Sequence, residues 1–126
     1  MRTVAKVVLV FLFISGILAV LLNRGGRTRA EVLKVVDGDT LRVLLNGKRE
    51  YVRLVGIDAL ELKRGGEKAR NFLAQLCPVG STIYLEIFGR DRYGRLLAEV
   101  YTENGLDVNH ALLKENLAVP LVSLDP

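Results

Sequence analysis

The sequence predicts a small α+β domain, mainly β, in which five short strands close an OB-type barrel and two short helices pack against it, preceded by one N-terminal transmembrane or signal helix. Three observations predict it. Short apolar runs alternate with period two between turn dipeptides, two stretches carry helical spacing, and one long uncharged run stands near the N-terminus.

Ala30 to Val36 reads as a first strand, and Asp37-Gly38-Asp39 turns the chain into a second, Thr40 to Leu45. Asn46-Gly47 is a strong short hairpin signal, because both residues tolerate the positive φ of a type I′ turn. Lys48 to Ile57 follows as a third strand. Glu67 to Leu76 places Ala69, Phe72, Leu73 and Leu76 on one helical face, and Pro78 and Gly80 end it. Thr82 to Phe88 alternates as a fourth strand, and Arg95 to Tyr101 is a fifth after the turn at Asp91 to Gly94. Val108 to Glu115 is a second short helix, with Asp107 as N-cap and Asn116 at the left-handed position after its end. The tail from Leu117 carries Pro120 and Pro126, which argues against a long third helix.

The chain has 126 residues, room for one domain, and half are hydrophobic. Its net charge of +4 is unevenly placed. Residues 1–30 hold five basic residues and no acid, whereas residues 31–126 hold 13 basic against all 14 acidic residues. The positive balance therefore belongs to the N-terminal segment and does not itself mark the folded part as a nucleic-acid binder. Cys77 is the single cysteine, so no internal disulfide forms. Its apolar neighbours make it a buried small hydrophobe, and the single histidine, His110, reads as structural.

Val7 to Leu22 is uncharged and apolar, long enough as a helix for about 24 Å of a hydrocarbon core. No small-x-small cleavage site follows it, so an uncleaved signal anchor is expected, with secretion after cleavage as the alternative. Residues 1–29 are thus read as anchor and flexible basic linker, and 30–126 as the barrel domain. Basic residues flank the run on both sides, which leaves orientation open by charge alone.

The chemistry begins with carboxylates. Asp39 opens the second strand and Asp58 ends the third, so an antiparallel pair joined at Asn46-Gly47 brings them together. Two carboxylates form a sparse site for a hard cation that keeps several waters. Arg53 and Arg95 offer planar forks matched to phosphate oxygens, and Glu61 stands where it can orient or deprotonate a water. Each feature alone is an ordinary turn or surface ion pair. Together they make one metal site, two clamps and one base.

Five segments in this order resemble the staphylococcal nuclease-like (thermonuclease) domains: Asp37-Gly-Asp-Thr40, Arg53 to Glu61, Gly66 to Leu73, Arg90 to Arg95 and Val108 to Leu113. The resemblance covers about residues 30–119 and implies an OB barrel, a calcium ion and hydrolysis of DNA or RNA phosphodiesters. It implies that Asp39, Asp58 and the Ala59 carbonyl hold calcium. Arg53 and Arg95 match the phosphate-binding arginines, and Glu61 the general base. Arg92 and Tyr93 match a basic-aromatic pair near the nucleotide, and Asp37 and Thr40 stand behind the metal ligands. Leu60 replaces the proline usual before the glutamate, the 62–65 loop is short, and Val119 to Leu124 carries no aromatic residue. These departures motivate a second reading, a catalytically inactive OB-type binding module at a membrane. A weak calcium site is filled only where calcium is millimolar, so the domain is expected on the extracytoplasmic side, as a monomer.

Overall fold

The computed structural model describes residues 26–59 and 66–121. In chain order the elements are β1 (Arg27–Asp37), β2 (Thr40–Leu45), β3 (Lys48–Leu54), β4 (Ile57–Ala59), α1 (Gly66–Leu76), β5 (Thr82–Arg90), β6 (Leu96–Thr102), α2 (Val108–Lys114) and β7 (Ala118–Pro120). Five strands close a barrel in the order β1-β2-β3-β6-β5, and β4 with β7 forms a separate two-stranded sheet. Neighbours in the barrel run antiparallel except β3 and β6, which are parallel, with Arg53 opposite Leu97.

Strand alternation builds the interior. Leu41, Val43, Val52, Leu54, Ile83, Leu85, Ala98 and Val100 are fully buried, while Arg42, Tyr51 and Arg53 between them face outward. Ala69 and Leu73 of α1 and Val108 and Leu112 of α2 extend the same core. Asn46 (φ 52°) and Gly47 (φ 81°) form the expected primed hairpin turn. Asp107 caps α2 by accepting the His110 N–H at 3.0 Å, and Asn116 adopts the left-handed conformation (φ 60°) just past the end of the helix.

Two expectations change. The third strand does not run to Ile57. It stops at Leu54, and Val55-Gly56 (Gly56 φ 80°) turns the chain so that Asp58 lies on the separate strand β4. An apolar run conceals this break because Val55 and Gly56 carry no polar turn signal. β1 begins at Arg27 rather than Ala30: Arg27 and Arg29 pair with Glu86 and Tyr84 of β5 instead of belonging to a linker. In the tail, Ala118 to Pro120 pairs with β4 as a short strand, with no long third helix among the described residues. The expected N-terminal helix lies outside the described residues. Among the described residues no helix is long and apolar enough to cross a membrane.

Candidate active site

The turn between β1 and β2 is built around two aspartates. Asp37 Oδ1 accepts the Asp39 N–H (3.1 Å), fixing the turn by a side-chain-to-backbone bond. The Asp39 carboxylate is then almost fully buried, and each oxygen is engaged: Thr40 Oγ1 donates to Oδ1 (3.0 Å) and the Ala59 N–H to Oδ2 (2.9 Å). That last bond brings β4 against the turn, and with it Asp58. Gly38 makes the approach possible, since a Cβ there would meet Ala69 Cβ at 2.6 Å and Ala59 Cβ at 2.9 Å.

Arg53 projects from the outer face of β3 into this cluster. Its Nη1 donates to the carbonyls of Leu54 (2.8 Å) and Ile57 (2.9 Å), which pins the turn between β3 and β4. Its Nη2 lies 3.0 Å from Asp58 Oδ1 and 3.5 Å from Asp39 Oδ2. The Arg53 side chain is only 14% exposed whereas that of Asp58 is 56% exposed, so the cluster opens to solvent on the Asp58 side. Arg53 therefore organises the loop as well as supplying charge. Two carboxylates, Asp39 and Asp58, flank one guanidinium, and Asp37 stands behind Asp39 through its bond to the Asp39 N–H. The acid of Asp37 is pushed above its ordinary value, first by burial and then by the neighbouring Asp39.

Arg95 belongs to a second, adjacent group on the turn between β5 and β6. Asp91 Oδ1 accepts the N–H groups of Tyr93 and Arg95 (both 2.9 Å), and Oδ2 accepts from Arg95 Nε (2.7 Å). Burial works upward on Asp91, but these bonds outweigh it and hold the acid below its usual range. Arg92 Nη2 donates to the Tyr93 hydroxyl (3.0 Å), and Tyr93 is largely exposed. The turn is braced by Arg90, which grips Glu50 of β3 through both terminal nitrogens (3.0 and 2.9 Å) and donates to the Gly94 carbonyl (2.8 Å). The bond from Arg90 lowers the Glu50 pKa. The β3–β6 register places the Arg95 turn on the strand next to Arg53.

Asp37, Asp39, Thr40, Arg53, Asp58 and Ala59 thus lie around one turn, Asp58 reaching it from β4 rather than from the end of β3, and Arg92, Tyr93 and Arg95 sit on the neighbouring turn. Glu61 lies outside the described residues. Sequence reasoning missed Asn109. Its buried amide accepts the Val100 N–H (3.0 Å) and donates to the carbonyls of Val55 (2.9 Å) and Ala98 (3.3 Å), tying α2 to β6 and to the turn that carries Asp58. The available signal was an amide in the first turn of a helix with apolar neighbours. Cys77 is buried as expected, and burial pushes its thiol up to about 12.

Among the described residues no three His, Cys, Asp or Glu side chains form a cluster able to hold a metal ion. Asp39 and Asp58 offer hard carboxylate oxygens, and together they carry more negative charge than the one guanidinium beside them. That set suits a hard divalent cation completed by water.

The chain is similar to known proteins of one family. The family described as staphylococcal nuclease homologue matches residues 51–125, starting within β3. An uncharacterized endonuclease of Escherichia coli O157:H7 is 37% identical over 87 residues, covering 69% of this chain and 57% of the relative. Endonuclease YncB of Bacillus subtilis is 40% identical over 95 residues, covering 68% and 44%, and a micrococcal nuclease of Shigella flexneri is 42% identical over 74 residues, covering 58% and 42%. The chain thus spans about half the length of these relatives. The barrel, the clustered carboxylates beside Arg53 and these matches together place the chain in the staphylococcal nuclease homologue family.

Proposed function

We propose that this chain hydrolyses phosphodiester bonds of DNA or RNA with the help of a calcium ion. The observation that carries the proposal is the cluster of Asp39 and Asp58 around Arg53, open to solvent on the Asp58 side, with Arg95 on the turn that leads into the adjacent strand β6. Asp39, Asp58 and the Ala59 carbonyl would hold the calcium, which supplies Lewis-acid charge to the phosphate when bound. Arg53 and Arg95 neutralise the phosphodiester and the further negative charge that develops as a water attacks phosphorus. Glu61, two residues beyond Ala59, takes the proton of that water. Asp37 fixes the turn that presents Asp39, and Arg92 and Tyr93 contact the nucleotide beside the scissile bond.

The domain is further proposed to lie outside the cytoplasm, held by the 7–22 segment, where a weak calcium site is filled. Protection of the domain from protease added to intact cells would contradict that placement.

The test is cleavage of a fluorescent single-stranded oligonucleotide by the full chain in mild detergent, with calcium or with chelator, alongside Glu61→Gln and Arg95→Ala. Calcium-dependent cleavage that both variants lose by about a hundredfold or more supports the reading. A folded wild-type chain without cleavage overturns it and favours a binding module.

A further inference from the structure

The outer face of β3 carries a pattern that the catalytic reading leaves unused. Arg53, Tyr51 and Arg49 alternate on it, because Val52 and Leu54 occupy the inner face. Successive members are about 6.6 Å apart along the strand, a step commensurate with the phosphate repeat of an extended single strand. Tyr51 is 44% exposed despite lying mid-strand in a closed barrel. Across the β2–β3 pairing, Tyr51 faces Arg42, whose guanidinium carbon stacks 4.2 Å from the ring centroid. On its other flank runs the start of β6, where Leu96 pairs with Val52 just after the exposed Tyr93 and the Arg95 turn. The one acid on this stretch of β3, Glu50, is neutralised by Arg90.

We propose that this row is a track for single-stranded nucleic acid leading away from the scissile phosphate, with Tyr51 stacking an unpaired base and Arg49 neutralising the phosphate two repeats on. It rests on the reading of Arg53 as the clamp at the reacting phosphate. An unpaired base is required because a ring lying on a strand surface stacks on the face of a base, which a duplex hides. Arg42 holds the Tyr51 ring in place and adds positive charge beside it. An aromatic flanked by cations on a barrel face is the arrangement that binds single strands with little sequence preference.

The test is equilibrium binding of labelled 12-mer oligothymidylate to the full chain in chelator, where no turnover is needed, over a range of salt concentrations. Tyr51→Ala should weaken binding about 5- to 100-fold with an unchanged salt slope. Tyr51→Phe should retain wild-type affinity, which separates loss of stacking from loss of fold. Arg49→Gln should make the slope of log K against log salt shallower by about 0.7. Tyr51→Ala within twofold of wild type, an unaltered slope for Arg49→Gln, or equal wild-type affinity for a duplex of the same length would each overturn the track. Absence of calcium-dependent cleavage by the wild-type chain would refute the nuclease reading alone, since this binding needs no catalysis.

Discussion

Substituting Gly38 by alanine tests how the carboxylate turn is seated. The added Cβ would lie 2.6 Å from Ala69 Cβ and 2.9 Å from Ala59 Cβ, against about 3.5–4.0 Å for ordinary carbon contact. Neither neighbour can rotate away, because an alanine Cβ is fixed to its backbone. Helix α1 or strand β4 must therefore retreat by about 1 Å. Overpacking of this kind costs about 1–3 kcal/mol, or about 5–20 °C in melting temperature for a domain of this size. Because the displaced β4 carries Asp58 and Ala59, calcium response and cleavage should fall further than stability alone explains. Ala69→Gly removes the tighter contact at a cost of about 1 kcal/mol in helix propensity. The two substitutions should therefore be coupled, the double variant being at least about 1 kcal/mol more stable than the sum of the single effects predicts. The remaining contact with Ala59 keeps the rescue partial. Urea denaturation of the full chain and its three variants measures this. Additivity within about 0.5 kcal/mol would refute the steric argument.

Asn109→Ala leaves the Val100 N–H buried without a partner and frees the Val55 carbonyl, so a loss of about 2–4 kcal/mol is expected in the same denaturation assay. Asn109→Asp should be no better, since it turns an acceptor toward two carbonyls. Asp37 has a raised pKa in the folded state, so its contribution to stability is present in acid and lost as pH rises through the folded value. Asp37→Asn should therefore raise the melting temperature in chelator at pH 7, a gain that shrinks toward pH 4 and is read by melting curves across that window. Calcium at 10 mM, with an affinity on the order of 10⁻⁴–10⁻³ M, should stabilise the chain by about 1.4–2.7 kcal/mol, visible as a rise of several degrees that Asp39→Ala abolishes. Arg53→Lys keeps the charge but cannot reach Leu54 O, Ile57 O and Asp58 with one fork, so cleavage should fall at least about a hundredfold while oligonucleotide binding falls less.

What the sequence made legible was local. Strand alternation, the Asn46-Gly47 hairpin and both helix caps follow from neighbours in the chain, and so does the Asp39–Arg53 neighbourhood, which one hairpin creates. The break at Val55-Gly56 was hidden because the turn interrupts an apolar run without a polar residue. β7 was hidden because its partner, β4, lies about sixty residues earlier, and three residues carry no periodicity. Gly38 and Asn109 look ordinary in sequence. Their roles arise from contacts with Ala69 and Val55 that exist only once the helices have docked. The role proposed for the Ala59 carbonyl rests on family resemblance, since a backbone carbonyl has no residue signature.

The first strand also links the start of the described chain to the site. β1 is shared by two neighbours: its first half pairs with β5 from Arg27 beside Glu86, and its second half pairs with β2 up to Asp37 beside Thr40. The strand that receives the chain at Gly26 is therefore the same strand that ends on the carboxylate turn. A force applied ahead of Gly26 passes along eleven residues of paired backbone to Asp37, with no loop between. Pulling on that end should therefore strain the barrel seam and the carboxylate turn together, whereas changing the length of the segment before Arg27 should leave the turn as it is.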